Sequence, residues 1–194
     1  GEGVRGWELG GVAGAGARRA RGATPAGDSI PCLMTLDAEI ELVSHRGSRR
    51  LPLATFLTGA RQTACDGDEL VIAIHVPAHA ETGCSGFEKL GARRYLVISI
   101  AMTAARLVIS NGHIDSAAIA VGACAPVAVR LTALENSLRA LPCNAAADCL
   151  GDSRQQIMDM LSPIDDVRGS ADYRRVAATE LVARLVGRLC GASG

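Results

Sequence analysis

Residues 96–123 read L-V-I-S-I-A-M-T-A-A-R-L-V-I-S-N-G-H-I-D-S-A-A-I-A-V-G-A. Two apolar runs flank the dipeptide Asn111-Gly112. The central positions of the tightest hairpin turn both need a positive φ, which glycine adopts freely and asparagine tolerates. The stretch therefore predicts a long hairpin, Leu96–Ser110 against Ile114–Ala123. The alanines at 101, 104 and 105 make a helix the competing reading for the middle of the first run, and the turn favours the hairpin.

Downstream of Pro126 the periodicity becomes helical. Leu131, Leu134, Leu138 and Leu141 predict a helix over 129–140. Ala146, Cys149, Leu150, Ile157, Met160 and Leu161 predict a second over 145–161. Ser170, followed by Asp172, is a candidate cap for a third that turns Val176, Leu181, Leu185 and Leu189 inward. Upstream, Gly86–Leu90 reads as a short strand. Before it, Ser29–Asp37 suits one or two helical turns. Residues 38–44 alternate apolar and charged, as a half-buried strand does. Residues 45–48 turn the chain, 49–53 return as a strand, and Thr55–Thr58 is a turn or short helix. Residues 69–77 form a strand that Pro77 ends. The fold class is α+β: a partial α/β subdomain over 23–80, then a domain over 84–190 with a β-meander and three helices. Residues 1–22, rich in Gly, Ala and Arg with no periodicity, are expected to be an atypical disordered or non-native start.

The 194 residues are 48% hydrophobic and 21% charged, enough to bury a core. Twenty basic and twenty acidic residues cancel, which argues against a general nucleic-acid or membrane-surface binder. With aromatics at 3%, a base-stacking surface is not expected. No apolar run approaches the ~20 residues of a membrane span, and no secretory signal is visible. The chain starts at Gly1 rather than Met, which reads as a fragment, a processed form or a tagged chain. Seven scattered cysteines without a C-x-x-C read as reduced thiols of a cytoplasmic protein, with no metal site. His75 and His79 are four apart, but Pro77 between them speaks against a shared helical face. Of the twenty basic residues nineteen are arginine, and Lys89 is the single lysine.

Familiar catalytic signatures are missing: no G-x-S-x-G, no Walker loop and no H-E-x-x-H. Three groups can carry chemistry. Asp28, in Pro25-Ala26-Gly27-Asp28-Ser29-Ile30-Pro31, can accept hydrogen bonds from a ribose hydroxyl or merely cap a helix. Lys89, in Phe87-Glu88-Lys89-Leu90-Gly91-Ala92-Arg93-Arg94, can neutralise an anionic cofactor or merely solvate an edge. Asp166 and Arg168 can tie the start of the last helix to a neighbouring loop.

In this order the groups resemble the FAD-binding medium subunit of molybdenum hydroxylases, of the xanthine dehydrogenase and carbon monoxide dehydrogenase type. The resemblance runs from Ala23 to Leu189. It is carried by A-T-P-A-G-D-S-I-P at 23–31, L-D-A-E-I-E-L at 36–42, R-x-L-P-L-x-x-F ending at Phe56, D-E-L-V-I-A-I-H-V-P at 68–77, S-G-F-E-K-L-G-A-R-R at 85–94 and D-D-V-R-G-S-A-D-Y-R-R at 165–175. It implies an electron-transfer flavoprotein oxidoreductase subunit that takes electrons from the iron–sulfur clusters of a small partner subunit and passes them through FAD to an acceptor. A large partner subunit would hold the molybdenum cofactor. By position, the resemblance gives Asp28 the adenosine side of FAD, Val71 an apolar backbone contact and Lys89 the flavin, whose anionic reduced form a fixed cation would stabilise. The family's first glycine-rich loop would lie upstream of Gly1. Its second, a G-G-N turn, would fall on Ala17-Arg18-Arg19, which do not match. The fragment alone is therefore expected to be inactive. The alternative is a truncated α+β interaction module that binds no flavin.

Overall fold

The computed structural model describes residues 23–93 and 97–192. The hairpin is there. β7 (Ala101–Ser110) pairs antiparallel with β8 (His113–Gly122), and Asn111 and Gly112 take φ of 52° and 74° at the turn. The first strand begins at Ala101 and not at Leu96, since 97–100 are irregular. β6 (Cys84–Leu90) pairs with the outer edge of β7. On the far side β8 pairs with β9, the dipeptide Val129–Arg130, to complete a four-stranded meander in the order β6-β7-β8-β9.

Before the meander lie α1 (Ser29–Thr35), β1 (Glu39–Ser44), β2 (Gly47–Pro52), the single turn α2 (Leu53–Phe56), β3 (Leu57–Gly59), β4 (Gln62–Thr63) and β5 (Leu70–His75). β1 is the centre of a three-stranded sheet, β2-β1-β5, antiparallel throughout. After it come α3 (Thr132–Leu138), α4 (Ala146–Asp152), α5 (Arg154–Asp159) and α6 (Ala171–Gly191).

The α+β class holds, and two details of the sequence reading change. The first unit shows no parallel α/β pairing among the described residues. The three expected helices become four, because the segment 145–161 breaks at Ser153 between α4 and α5. Gly151, Asp152 and Ser153 are poor helix interiors in succession, which is where the break falls. The first of those helices also starts later than its periodicity suggests, since Val129 and Arg130 are taken by β8. Ser170 caps α6 as expected, its Oγ accepting the Tyr173 amide at 3.2 Å.

The meander buries both faces. Ala101, Ala105 and Leu107 of β7 with Ile119 and Val121 of β8 meet Leu181, Val182, Leu185 and Val186 of α6 in one core. On the other face, Ala120 joins Ile30 and Met34 of α1 and Ile40, Leu42, Leu53 and Phe56 in a second. A Cβ on Gly122 would lie 2.7 Å from the Pro31 ring and 2.5 Å from Met102, so only glycine lets α1 sit this close. The C-terminal end of α1 is held by two arginines of the meander. Arg106 Nε donates to Thr35 O at 2.9 Å and Arg130 Nη1 to Met34 O at 2.7 Å. These are carbonyls with no partner inside the helix. Both guanidinium groups also reach Asp37, just past the helix. The N-terminal end of α1 is thereby aimed at β6 and the irregular segment 97–100. No helix among the described residues is long and apolar enough to cross a membrane.

Candidate functional site: a lysine-walled cleft

An open cleft of about 640 Å³ lies between the start of α1 and the end of β6, lined by Thr24, Ala26, Gly27, Asp28, Lys89, Val97 and Ile98. Its floor comes from the turn-forming sequence T-P-A-G. Gly27 N donates to Thr24 O at 3.0 Å, and Ala123 N donates to Pro25 O at 2.9 Å, which ties the turn to the end of the meander. Lys89 reaches the cleft by the strand's alternation. Its neighbour Glu88 turns to the opposite face, where Arg188 Nη1 meets it at 2.8 Å.

Lys89 Nζ donates to Asp28 Oδ2 at 2.7 Å and to Val97 O at 2.9 Å. Ser99 Oγ donates to Asp28 Oδ1 at 2.7 Å. An ammonium has three protons, so one of Lys89's is left without an acceptor among the described residues. Asp28 is the N-cap residue of α1, yet its side chain makes no capping bond. Its two oxygens accept from Lys89 and Ser99 and not from the first turn of the helix. Both side chains keep contact with solvent, Lys89 at 25% and Asp28 at 39% exposure. Such a pair adds on the order of 1 kcal/mol or less to stability. Its interest lies in the positive charge that it holds at the cleft wall.

The segment 97–100 that completes this wall is held from behind by the motif D-D-V-R-G-S-A-D-Y-R-R. Arg168 Nη1 donates to Ser99 O at 3.4 Å, and its Nε donates to Asp166 Oδ2 at 2.9 Å. Arg174 is 1% exposed. Its Nε donates to Ile100 O at 3.1 Å, its Nη1 to Ile164 O at 2.8 Å, and its Nη2 to Ala123 O. Hydrogen bonds from Arg168 hold the Asp166 carboxyl down at about 2. Asp166 and Arg168 thus do what the sequence suggested, tying the start of α6 to a loop, and that loop is the cleft wall.

Of the residues carried over by resemblance, the structure brings Asp28 and Lys89 into contact. Val71 is elsewhere, on the edge strand β5 opposite Leu42, packed against the core beneath β1. The positions expected for the G-G-N turn, 17–19, and the expected disordered start, 1–22, lie outside the described residues. The sequence reading missed Ser99 and Arg174. The one hint of Ser99 was a lone hydroxyl in the apolar run V-I-S-I.

A smaller cleft of about 320 Å³ lies beyond the other end of α1, with Asp37, His79 and Arg130 in its wall. Burial pushes Asp37 up, but hydrogen bonds from Arg130 and His79 outweigh it and hold the carboxyl below its ordinary value. Its polar groups are occupied with one another. His75 bonds Glu41 through Nε2 on the outer face of the first sheet. The two histidines therefore face different carboxylates. Among the described residues no group of three or more His, Cys, Asp or Glu is placed to hold a metal ion.

This architecture has known counterparts. Residues 87–189 match the CO dehydrogenase flavoprotein C-terminal domain, and residues 20–79 match the FAD binding domain in molybdopterin dehydrogenase. The xanthine dehydrogenase FAD-binding subunit of Escherichia coli O157:H7 is 26% identical over 98% of this chain and 65% of its own length. The carbon monoxide dehydrogenase medium chain of Hydrogenophaga pseudoflava is 27% identical over 82% of this chain and 55% of its own. A solved structure of reconstituted CO dehydrogenase from Oligotropha carboxidovorans superposes with a TM-score of 0.79 at 28% identity, over 89% of this chain and 59% of the other. The chain thus spans less than two thirds of the length of these relatives. The first match alone covers more than half of the residues, and the chain belongs to the family of CO dehydrogenase flavoprotein C-terminal domains, preceded by a segment of the molybdopterin dehydrogenase FAD-binding domain.

Proposed function

We propose that this chain is part of the FAD-binding electron-transfer subunit of a molybdenum hydroxylase, and that Lys89 and Asp28 face the cofactor. Its natural division is residues 23–80 for the FAD-binding part and 84–190 for the C-terminal part. Its partners are an iron–sulfur small subunit and a large subunit with the molybdenum cofactor, and its seven unbridged cysteines favour the cytoplasm. The substrate-hydroxylating pocket belongs to the large partner.

The observation that carries this reading is the donor set of the cleft. An ammonium anchored on two sides, with a proton to spare, suits an electron-rich or anionic group. Val97 and Ile98 add an apolar edge. The buried Ser29 Oγ, next to Asp28, has no partner among the described residues. These features fit one end of FAD. Val71 on β5 is proposed as a backbone contact farther along the cofactor. Bound FAD supplies a store for two electrons. The residues of this chain hold charge around it. Asp28 fixes the Lys89 ammonium, Ser99 fixes Asp28, and Arg168 with Arg174 fixes the segment that carries Ser99. A positive charge so placed favours negative charge on whatever group faces it.

Purified protein titrated with FAD, read by flavin absorbance and fluorescence quenching, tests the reading. Saturable uptake is expected. Lys89→Met removes one charge-assisted hydrogen bond and is expected to weaken binding roughly 10- to 100-fold. No uptake by the wild-type chain, or equal affinity in Lys89→Met, refutes the assignment.

A further inference from the structure

β6 ends at Leu90, and the chain soon returns to it, Ile100 N donating to Leu90 O at 2.8 Å. Inside the loop so closed, Gly91 and Val97 lie against each other. A Cβ on Gly91 would stand 2.4 Å from Val97 Cγ1 and 3.6 Å from Val97 Cβ. Conformation does not demand this glycine. The glycines with a positive φ are Gly47, Gly83, Gly112 and Gly169, and Gly91 is not one of them. What position 91 requires is space.

The residue that takes the space belongs to the cleft. Val97 lines its wall, and Val97 O is one of two acceptors that anchor Lys89 Nζ, at 2.9 Å, beside Asp28 Oδ2 at 2.7 Å. Just beyond it, Arg168 holds Ser99 O and Arg174 holds Ile100 O. The returning limb is thus pinned by two arginines at one end and seated on Gly91 at the other. We propose that Gly91 is a positioning residue: its bare α-carbon seats Val97 so that the Val97 carbonyl aims the Lys89 ammonium across the cleft. The functional weight of this rests on the reading of Lys89 as facing the cofactor. A methyl group at 91 needs the gap to open by about 1 Å to reach ordinary carbon contact. Valine is stiff at χ1, so its backbone has to supply part of that movement. A carbonyl displaced by so much leaves the usual range of a hydrogen bond from Nζ. Asp28 alone then holds the ammonium, and the charge at the wall loses its fixed direction.

Lys89 is the single lysine, so its reactivity toward acetic anhydride reads this one side chain, the N-terminal amine being on Gly1–Arg5. Trypsin does not cut at acetylated Lys89, which appears on Gln62–Arg93, whereas the free form gives Gln62–Lys89 and Leu90–Arg93. Gly91→Ala is expected to be acetylated at Lys89 about 10-fold faster than wild type, as one charge-assisted hydrogen bond is lost. Adding Val97→Ala removes Cγ1 and leaves the 3.6 Å contact with Cβ, so the double variant should return to the wild-type rate. Far-UV circular dichroism checks that each chain keeps its fold, and a glycine that served packing alone would not alter the amine's reactivity in a folded chain. A wild-type rate in Gly91→Ala, or a fast rate in the double variant, overturns the proposal. Should Gly91→Ala not fold, the double variant decides alone: a native fold with the wild-type rate supports the proposal, and loss of either overturns it. None of these measurements uses FAD, so their outcome is separate from that of the FAD titration. In that titration Gly91→Ala is expected to bind FAD roughly 3- to 10-fold more weakly than wild type, and equal affinity overturns the cofactor half of the proposal.

Discussion

Replacing Arg174 by methionine is expected to cost this protein a large share of its stability. The aliphatic stem of the side chain is retained, so little packing volume changes. What is lost is a buried guanidinium that donates to Ile100 O at 3.1 Å, Ile164 O at 2.8 Å and Ala123 O, and lies 3.5 Å from Asp166 Oδ2. These carbonyls come from three separate segments: the cleft wall, the loop before α6 and the end of the meander. Hydrogen bonds from a charged donor contribute about 1.5–3 kcal/mol each, and such values do not simply add. Removing one partner of a buried charged set typically costs about 3–5 kcal/mol. A domain of ordinary stability holds about 5–15 kcal/mol, so the variant should fold yet lie near its limit. Urea denaturation followed by circular dichroism measures this. With a slope of about 2 kcal/mol/M, the midpoint should fall by about 2 M with little change in slope. Arg174→Lys, which keeps the charge but not the planar fork, should fall between the two. A midpoint lowered by less than about 0.5 M, or roughly 1 kcal/mol, would refute the view that Arg174 is the knot joining these segments.

The methyl group of Gly122→Ala would enter between Pro31 and Met102, at 2.7 Å and 2.5 Å from their carbons. The proline ring cannot move aside as the methionine can. The expected loss is about 1–3 kcal/mol by thermal or urea unfolding, and an unchanged melting temperature contradicts the close packing of α1. For Asp166, the folded carboxyl titrates near 2 and the unfolded one near its ordinary value of about 4. Its contribution is therefore present above about pH 4 and is lost as the pH falls through 2. Asp166→Asn should flatten that part of the acid limb of the stability curve. An acid limb identical to wild type would show that the Arg168 contact does not set this carboxyl.

The hairpin was legible because its signal is local: Asn111 and Gly112 carry the turn chemistry, and the runs on either side carry the pattern. The Ser170 cap was legible for the same reason. β9 was not, because Val129 and Leu131 with Leu134 and Leu138 repeat at helical spacing, and only the unpaired edge of β8 draws Val129 and Arg130 into the sheet. The split at Ser153 follows from residues that were visible, but apolar spacing on both sides hid it. The site divides likewise. Asp28 and Lys89 stand out by type and setting, whereas their contact joins positions 61 residues apart. Ser99 looks like one more position in an apolar run until Asp28, 71 residues away, is placed against it. Periodicity reports which face of an element is buried. It carries no information on which distant carboxylate a buried hydroxyl will meet.

The count of nineteen arginines to one lysine takes its meaning from these geometries. Arg106, Arg130, Arg168 and Arg174 each bridge two or more acceptors spread across a plane, which is what a guanidinium fork is shaped for. Lys89 does something different. A single nitrogen meets Asp28 at 2.7 Å and Val97 O at 2.9 Å from one strand position, and a proton remains directed away from both. A guanidinium at the same place would bring five donors to two acceptors and extend its plane into the cleft that the ammonium leaves open. In a chain that uses arginine wherever a broad cation serves, the exception stands at the wall of an open cleft, where a compact cation leaves that space unfilled.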